Sequence, residues 1–91
     1  MMETAEARLK RMRMRSWRRG TKEMDLVLGP FADAHLDSLT EAELQTYDAL
    51  LAENDQDLMA WILGQSPAPA PIAPLLSRIA GFAETRLSRG K

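Results

Sequence analysis

The run from Trp17 to Phe31 joins a basic helical stretch to an amphipathic one through a single residue, Gly20. That junction constrains the fold more than any other feature, because it requires two helices to meet at a tight corner. Upstream, Ala5, Leu9, Met12 and Ser16 give one narrow inward stripe over residues 4–18, and Gly20 marks the stop. Downstream, Thr21 reads as an N-cap. Met24, Val27, Leu28 and Phe31 follow the i, i+3, i+4, i+7 rule. Glu23 and Asp25 fall in the first turn, where negative charge suits the helix dipole. Gly29-Pro30 predicts an end or a bend, since proline lacks the N–H and clashes with the preceding turn. Met14 and Trp17 lie off the inward stripe, so they meet either a second neighbour or a partner.

The remaining elements are helical as well. Thr40 followed by Glu43 is a capping-box pattern, and Leu44, Tyr47, Leu50 and Leu51 form the buried face of the helix it opens. Residues 53–57 break that helix and cap the next, which runs over 55–63, presents Leu58, Trp61 and Ile62, and stops at Gly64. Four of the five prolines lie in residues 65–74, predicting a stiff, extended connector with little core. A last helix over 73–87 buries Leu75, Leu76, Ile79, Phe82 and Ala83, and Gly81 weakens it by roughly 1 kcal/mol relative to alanine. Arg86, Arg89 and Lys91 form a frayed basic end. Period-2 alternation is absent, so no strand is expected. The predicted fold is all-α, a small five-helix bundle. Residues 1–91 form a single domain, with a compact helical core over 5–64, the connector at 65–74, and a loosely tethered C-terminal helix and tail over 75–91. A chain of 91 residues buries a thin core and suits a binding face better than a deep catalytic cavity.

The formal charge of −1 hides a strong asymmetry, because eight of the twelve Lys and Arg residues lie in positions 1–22. Positions 23–77 hold ten acids and neither Lys nor Arg. Two accounts follow: the basic helix packs beside the acidic ones, or one charged face meets a partner of opposite sign. The absence of cysteine removes disulfides, thiolate metal sites and thiol nucleophiles, and fits a reducing cytoplasm. No apolar stretch is long enough for membrane insertion. Glu3 and Glu6 argue against an organelle presequence.

Catalytic constellations are missing. His35 is the sole histidine, and Asp33 and Asp37 at i±2 point away from it, so a solvated histidine near a helix end is expected rather than a metal ligand. Asp55-Gln56-Asp57 lacks the glycine and terminal glutamate of a calcium loop and reads as a helix cap. There is no nucleophile elbow and no phosphate-binding glycine pattern. The expectation is a protein that is not an enzyme. Nucleic-acid binding is the main rival from composition, since the arginines of the first helix can track phosphates, but the acidic body and a pI near 5.8 oppose it.

Arg19-Gly20-x-x-Glu23 alone is a weak pattern: a helix stop plus a surface Arg–Glu pair worth roughly 0.2–1 kcal/mol. The ordered set is more specific. Arg18-Arg19-Gly20-x-x-Glu23-x-Asp25 is followed by Pro30-Phe31, Leu36-x-Ser38-Leu39, Leu50-Leu51 and Asp55-x-Asp57-Leu58-x-x-Trp61. Over residues 5–64 this resembles the succinate dehydrogenase FAD assembly factor family in its bacterial form. Gly29, and Ala32 where that family often carries a second aromatic, are departures affecting the local bend. The resemblance implies a cytoplasmic bacterial chaperone, monomeric when free and with no cofactor of its own. It would bind the flavoprotein subunit of succinate dehydrogenase, and in some members that of fumarate reductase, and promote covalent attachment of the client's FAD. It places partner contacts at Arg19, Gly20 and Glu23, with Arg18, Trp17 and Asp25 beside them. On that reading Arg19 forks a client carboxylate, Gly20 lets a client backbone approach, and Glu23 orders the guanidinium or accepts from the client. Free amides at the start of the second helix add a weak anion site. Arg19→Ala or Gly20→Val is then expected to keep the helical circular dichroism and abolish covalent flavin. An antitoxin-like interaction protein is the alternative, since relatives have carried that label.

Overall fold

The computed structural model describes residues 3–89, with side chains through residue 86. Its helices begin where short polar side chains satisfy the free amides of a first turn. Thr4 accepts from Ala7 N at 3.0 Å and opens α1 (Ala5–Trp17). Thr21 accepts from Met24 N at 3.2 Å and opens α2 (Lys22–His35). Thr40 and Glu43 form the reciprocal box at 3.1 and 2.9 Å that starts α3 (Glu41–Leu51). Asn54, rather than Asp55, caps α4 (Asp55–Ile62) by accepting from Asp57 N at 2.8 Å. A turn of 3₁₀ helix, Leu36–Ser38, links α2 to α3, and α5 spans Ala73–Arg89. Gly64 closes α4 in the left-handed region at φ 76°, where a side chain would be strained.

Three expectations change. Pro30 does not end α2, which runs through it to His35. The proline leaves the Leu26 carbonyl without its helical donor, and the Arg86 guanidinium on α5 reaches that oxygen at 3.5 Å. His35 is not simply solvated. Its half-buried ring lies 5.0 Å from the centroids of both Phe31 and Phe82, tilted on one and edge-on to the other. The last helix is also more than a loosely tethered appendage. Ile72, Leu75, Leu76 and Ile79 are buried in the same core cluster as Met12, Leu28, Phe31, Tyr47 and Leu58, and Ala68 of the proline-rich connector packs against that cluster. The radius of gyration, 12.8 Å, equals the ~13 Å of one packed domain of about 100 residues. The expected basic end at Arg89 and Lys91 lies outside the described side chains.

α1 is held to the bundle on both sides of a narrow apolar stripe. Met12 and Ser16 are buried, Leu9 is half-buried, and Ala5 is exposed despite its place on the predicted stripe. Ser16 donates to its own Met12 carbonyl at 2.8 Å, so its oxygen is left to accept the Tyr47 hydroxyl at 2.6 Å. Burial pushes the Tyr47 phenol up to about 12. Around this pair the arginines of α1 turn onto acids. Arg8 meets Glu41 at 2.9 Å, and Arg13 meets Asp33 and Asp37 at 3.5 and 3.3 Å. Arg11 forks both oxygens of Asp48 at 2.9 Å and also holds Glu3 at 2.8 Å. The hydrogen bonds from Arg11 hold the Asp48 carboxyl below the usual carboxylate range. The intramolecular account of the charge asymmetry therefore describes most of α1.

Candidate functional site

The corner between α1 and α2 is built by long-range hydrogen bonds. The Arg19 amide donates to Asp25 Oδ1 in the first turn of α2. The Arg19 side chain crosses to the end of α3, where Nη1 donates to the Leu51 carbonyl and Nη2 to the Glu53 carbonyl, each at 2.8 Å. The Leu51 oxygen is one of the carbonyls that a helix end leaves without amide partners, the Glu53 oxygen lies just beyond the C-cap Ala52, and a cation suits the negative end of the dipole. Arg15 adds a second donor to Leu51 at 3.0 Å. The remaining edge of Arg19, Nε, binds Asp55 Oδ1 at 2.8 Å, while Asp55 Oδ2 accepts from the Gly20 amide.

This geometry corrects the roles assigned to the Arg-Gly pair. The Arg19 side chain is only 8 % exposed and is occupied by three internal acceptors. It presents no open fork to a partner carboxylate. Among the described residues no ion pair joins it to Glu23, so that carboxylate does not order the guanidinium. Gly20 lies outside the left-handed region, and the space its missing Cβ leaves is taken by this chain's own Asp55: a Cβ there would lie 2.8 Å from Oδ2. The proposed anion site at the start of α2 faces the two carboxylates of its own first turn.

What points outward is different. Glu23 and Arg18 are exposed and have no side-chain partner among the described residues. Asp25, half-buried, accepts from the Arg19 amide. Trp17 is 39 % exposed, with one face of its indole against Gly29 of α2 and Nε1 donating to Asp33 Oδ2 at 3.2 Å. It therefore has both a second neighbour and an open face. Two shallow grooves flank the corner. One of about 380 Å³ is lined by Thr21, Glu23, Asp55, Gln56, Met59 and Gln65 among others. The other, of about 370 Å³, runs along Arg11, Met14, Arg15, Arg18 and Arg19. Asp55 is the participant that sequence reasoning missed. It was legible as part of a helix start and of the ordered motif set but not as a partner of the Arg-Gly pair, since nothing local ties it to residues 35 and 36 positions away.

The Gly29 contact explains a residue that looked like a departure. An added Cβ would sit 2.3 Å from the Trp17 ring. Gly29→Ala should therefore unseat the indole, with a red-shifted, more quenchable Trp17 emission measured in a Trp61→Phe background. The expected stability loss is about 1–3 kcal/mol, the usual cost of overpacking. An unshifted spectrum would contradict the packing described.

Among the described residues there is no group of three His, Asp or Glu side chains able to hold a metal ion, and no helix long and apolar enough to cross a membrane. The described residues form a helical bundle with a corner braced from within, beside which Glu23, Arg18 and Trp17 are exposed. Residues 10–83 match the family described as "Flavinator of succinate dehydrogenase". The chain is 40% identical over 63 residues to the FAD assembly factor SdhE of Haemophilus ducreyi, covering 68% of this chain and 77% of that one. It is 35% identical over 85 residues to the FAD assembly factor SdhE of Acetobacter pasteurianus, covering 92% and 76%. A mitochondrial succinate dehydrogenase assembly factor 2 from Meyerozyma guilliermondii shares 46% over 59 residues, 65% of this chain and 44% of that relative. The chain belongs to the family of succinate dehydrogenase flavinators and FAD assembly factors.

Proposed function

We propose that this protein docks on the flavoprotein subunit of succinate dehydrogenase and promotes covalent attachment of FAD to it. It does so in the bacterial cytoplasm and as a free monomer, with the fumarate reductase flavoprotein as a second client. The flavin and the acceptor histidine both belong to the client. This chain's part is to bind and orient, and positioning alone supplies large rate factors. The observation that carries the reading, beside family membership, is the exposed Glu23 carboxylate standing unpartnered beside a corner braced from within. A charged group free of internal partners at a rigid site is what an interface uses for specificity. Arg18 and the open face of Trp17, exposed on the α1 side of the corner, supply a second charge and an aromatic anchor. The nucleic-acid and antitoxin readings have no comparable support, because most arginines of α1 face the chain's own acids.

Glu23→Gln keeps the size of the side chain and removes its charge. Covalent flavin on the co-expressed client, read as in-gel fluorescence of the flavoprotein subunit, should fall roughly tenfold or more, a loss of about 1.4 kcal/mol or greater, with the melting midpoint lowered by no more than the few degrees that one helix-dipole charge of about 0.3–1 kcal/mol entails. Full client fluorescence with the variant as the sole assembly factor would overturn the assignment of Glu23. Failure of the wild-type protein to raise client fluorescence would overturn the function.

A further inference from the structure

We propose that Asp55 is the positioning residue of the docking corner, setting the course of the Arg19-Gly20 segment and so the presentation of Glu23, without touching the client itself. The inference rests on the docking reading above. Both oxygens of Asp55 are committed to residues far away in sequence: Oδ1 to Arg19 Nε, 36 positions off, and Oδ2 to the Gly20 amide, 35 positions off. The side chains of Arg19 and Asp55 are 8 and 13 % exposed, so each meets the interior more than the surroundings.

The direction of control follows from what anchors each piece. Asp55 begins α4, and α4 is fixed to the core through fully buried Leu58. Gly20 directly precedes Thr21, the cap of α2, and Glu23 stands in the first turn that this cap opens. Met24 of that turn is itself fully buried, so the Gly20 bond adds a second tether that sets how the Arg19-Gly20 segment enters α2 relative to α4. The two elements share one groove, lined by Glu23 and Asp55 together. The glycine follows from the same contact. Its backbone has no left-handed torsion to justify it, and a Cβ would strike Asp55 Oδ2 at 2.8 Å. A side chain at position 20 would push Asp55 Oδ2 aside, at the expense of its bonds to the Gly20 amide and Arg19.

These statements make a double-mutant cycle decisive. Wild type, Gly20→Ala, Asp55→Ala and the double variant are titrated against purified flavoprotein subunit by calorimetry at 25 °C, with circular dichroism and melting recorded for each. Each single variant should bind on the order of tenfold more weakly while remaining folded at that temperature. The double variant should bind no more weakly than Asp55→Ala alone, since the obstacle to the alanine Cβ has gone. Asp55→Asn, which keeps the volume and the bond to Arg19 but turns an amide donor toward the Gly20 N–H, serves if Asp55→Ala does not fold, and should also bind about tenfold more weakly. Losses that multiply in the double variant would show that the client, not Asp55, demands the glycine, and would overturn the proposal. Wild-type affinity in Asp55→Ala or Asp55→Asn would overturn it as well. A wild-type protein that does not bind the flavoprotein would sink the docking reading itself, an outcome separate from the other two.

Discussion

Arg19→Ala should lower the unfolding free energy by about 2–4 kcal/mol, the range for removing one member of a poorly solvated hydrogen-bonded ion pair. The substitution leaves two acceptors without this donor, the Glu53 carbonyl and Asp55 Oδ1, and takes one of two donors from the Leu51 carbonyl. Arg15 can still serve Leu51 at 3.0 Å, which keeps the loss below the upper end. Solvent screening discounts it little, because Arg19 and Asp55 side chains are 8 and 13 % exposed. For a domain of this size the loss corresponds to a fall in melting midpoint of roughly 10–20 °C. The far-UV spectrum at 25 °C should keep its helical shape while the urea midpoint drops, and client flavinylation should fall with it. The simple expectation of intact folding with lost function thus changes: Arg19 bears on both. Glu23→Ala, an exposed side chain with no side-chain partner, is the control and should lower the midpoint only by the few degrees that losing one helix-dipole charge of about 0.3–1 kcal/mol entails. A loss under about 1 kcal/mol for Arg19→Ala would contradict the bracing described here.

Ile79→Ala should cost about 3 kcal/mol, within the usual range for an aliphatic side chain cut back to alanine in a closed core. Ile79 is fully buried, and its neighbours on α5, Leu75 and Leu76, are buried with it against the apolar faces of the other helices. Opening a cavity there disturbs the whole bundle, so the loss should appear as a single urea transition, seen at the same midpoint by far-UV circular dichroism and by tryptophan fluorescence. A helix hung loosely on its connector would behave otherwise. It would lose less than about 1 kcal/mol, or melt in an earlier separate step.

The elements were legible because their signals are local. Thr21, the Thr40–Glu43 box and Gly64 act within four residues of themselves, and each did what its residue type predicts. The outward exposure of Trp17 was readable from its place off the α1 stripe. What sequence could not show was every feature whose partner lies far along the chain. Arg19 reads as a free cation until Leu51, Glu53 and Asp55 are brought beside it. Gly20 reads as a helix stop until the carboxylate that fills its place is known. Pro30 reads as a breaker because the side chain reaching its stranded carbonyl, Arg86, lies 60 residues away. The proline-rich connector suggested a detached last helix, since composition describes how stiff a linker is but not where it leads. Within the motif, local reasoning identified the residue types and reversed the direction in which two of them face.

The spacing of the ion pairs bears on how the chain is made. α1 is made before the other helices of this chain, and two of its arginines, Arg8 and Arg11, answer to Glu41 and Asp48, which are added 33 and 37 residues later; Arg19, just past α1, answers to Asp55 36 residues on. Until then the acidic mates of α1 are Glu3 on its own segment and Asp33 and Asp37 on and just after α2. The contacts of α1 with α2 become available first, and its ion pairs are completed only once α3 has been translated. The ion pairs of the N-terminal segment thus close in the order in which their acids are made, and Asp55, the last of those acids, closes the Arg19-Gly20 corner.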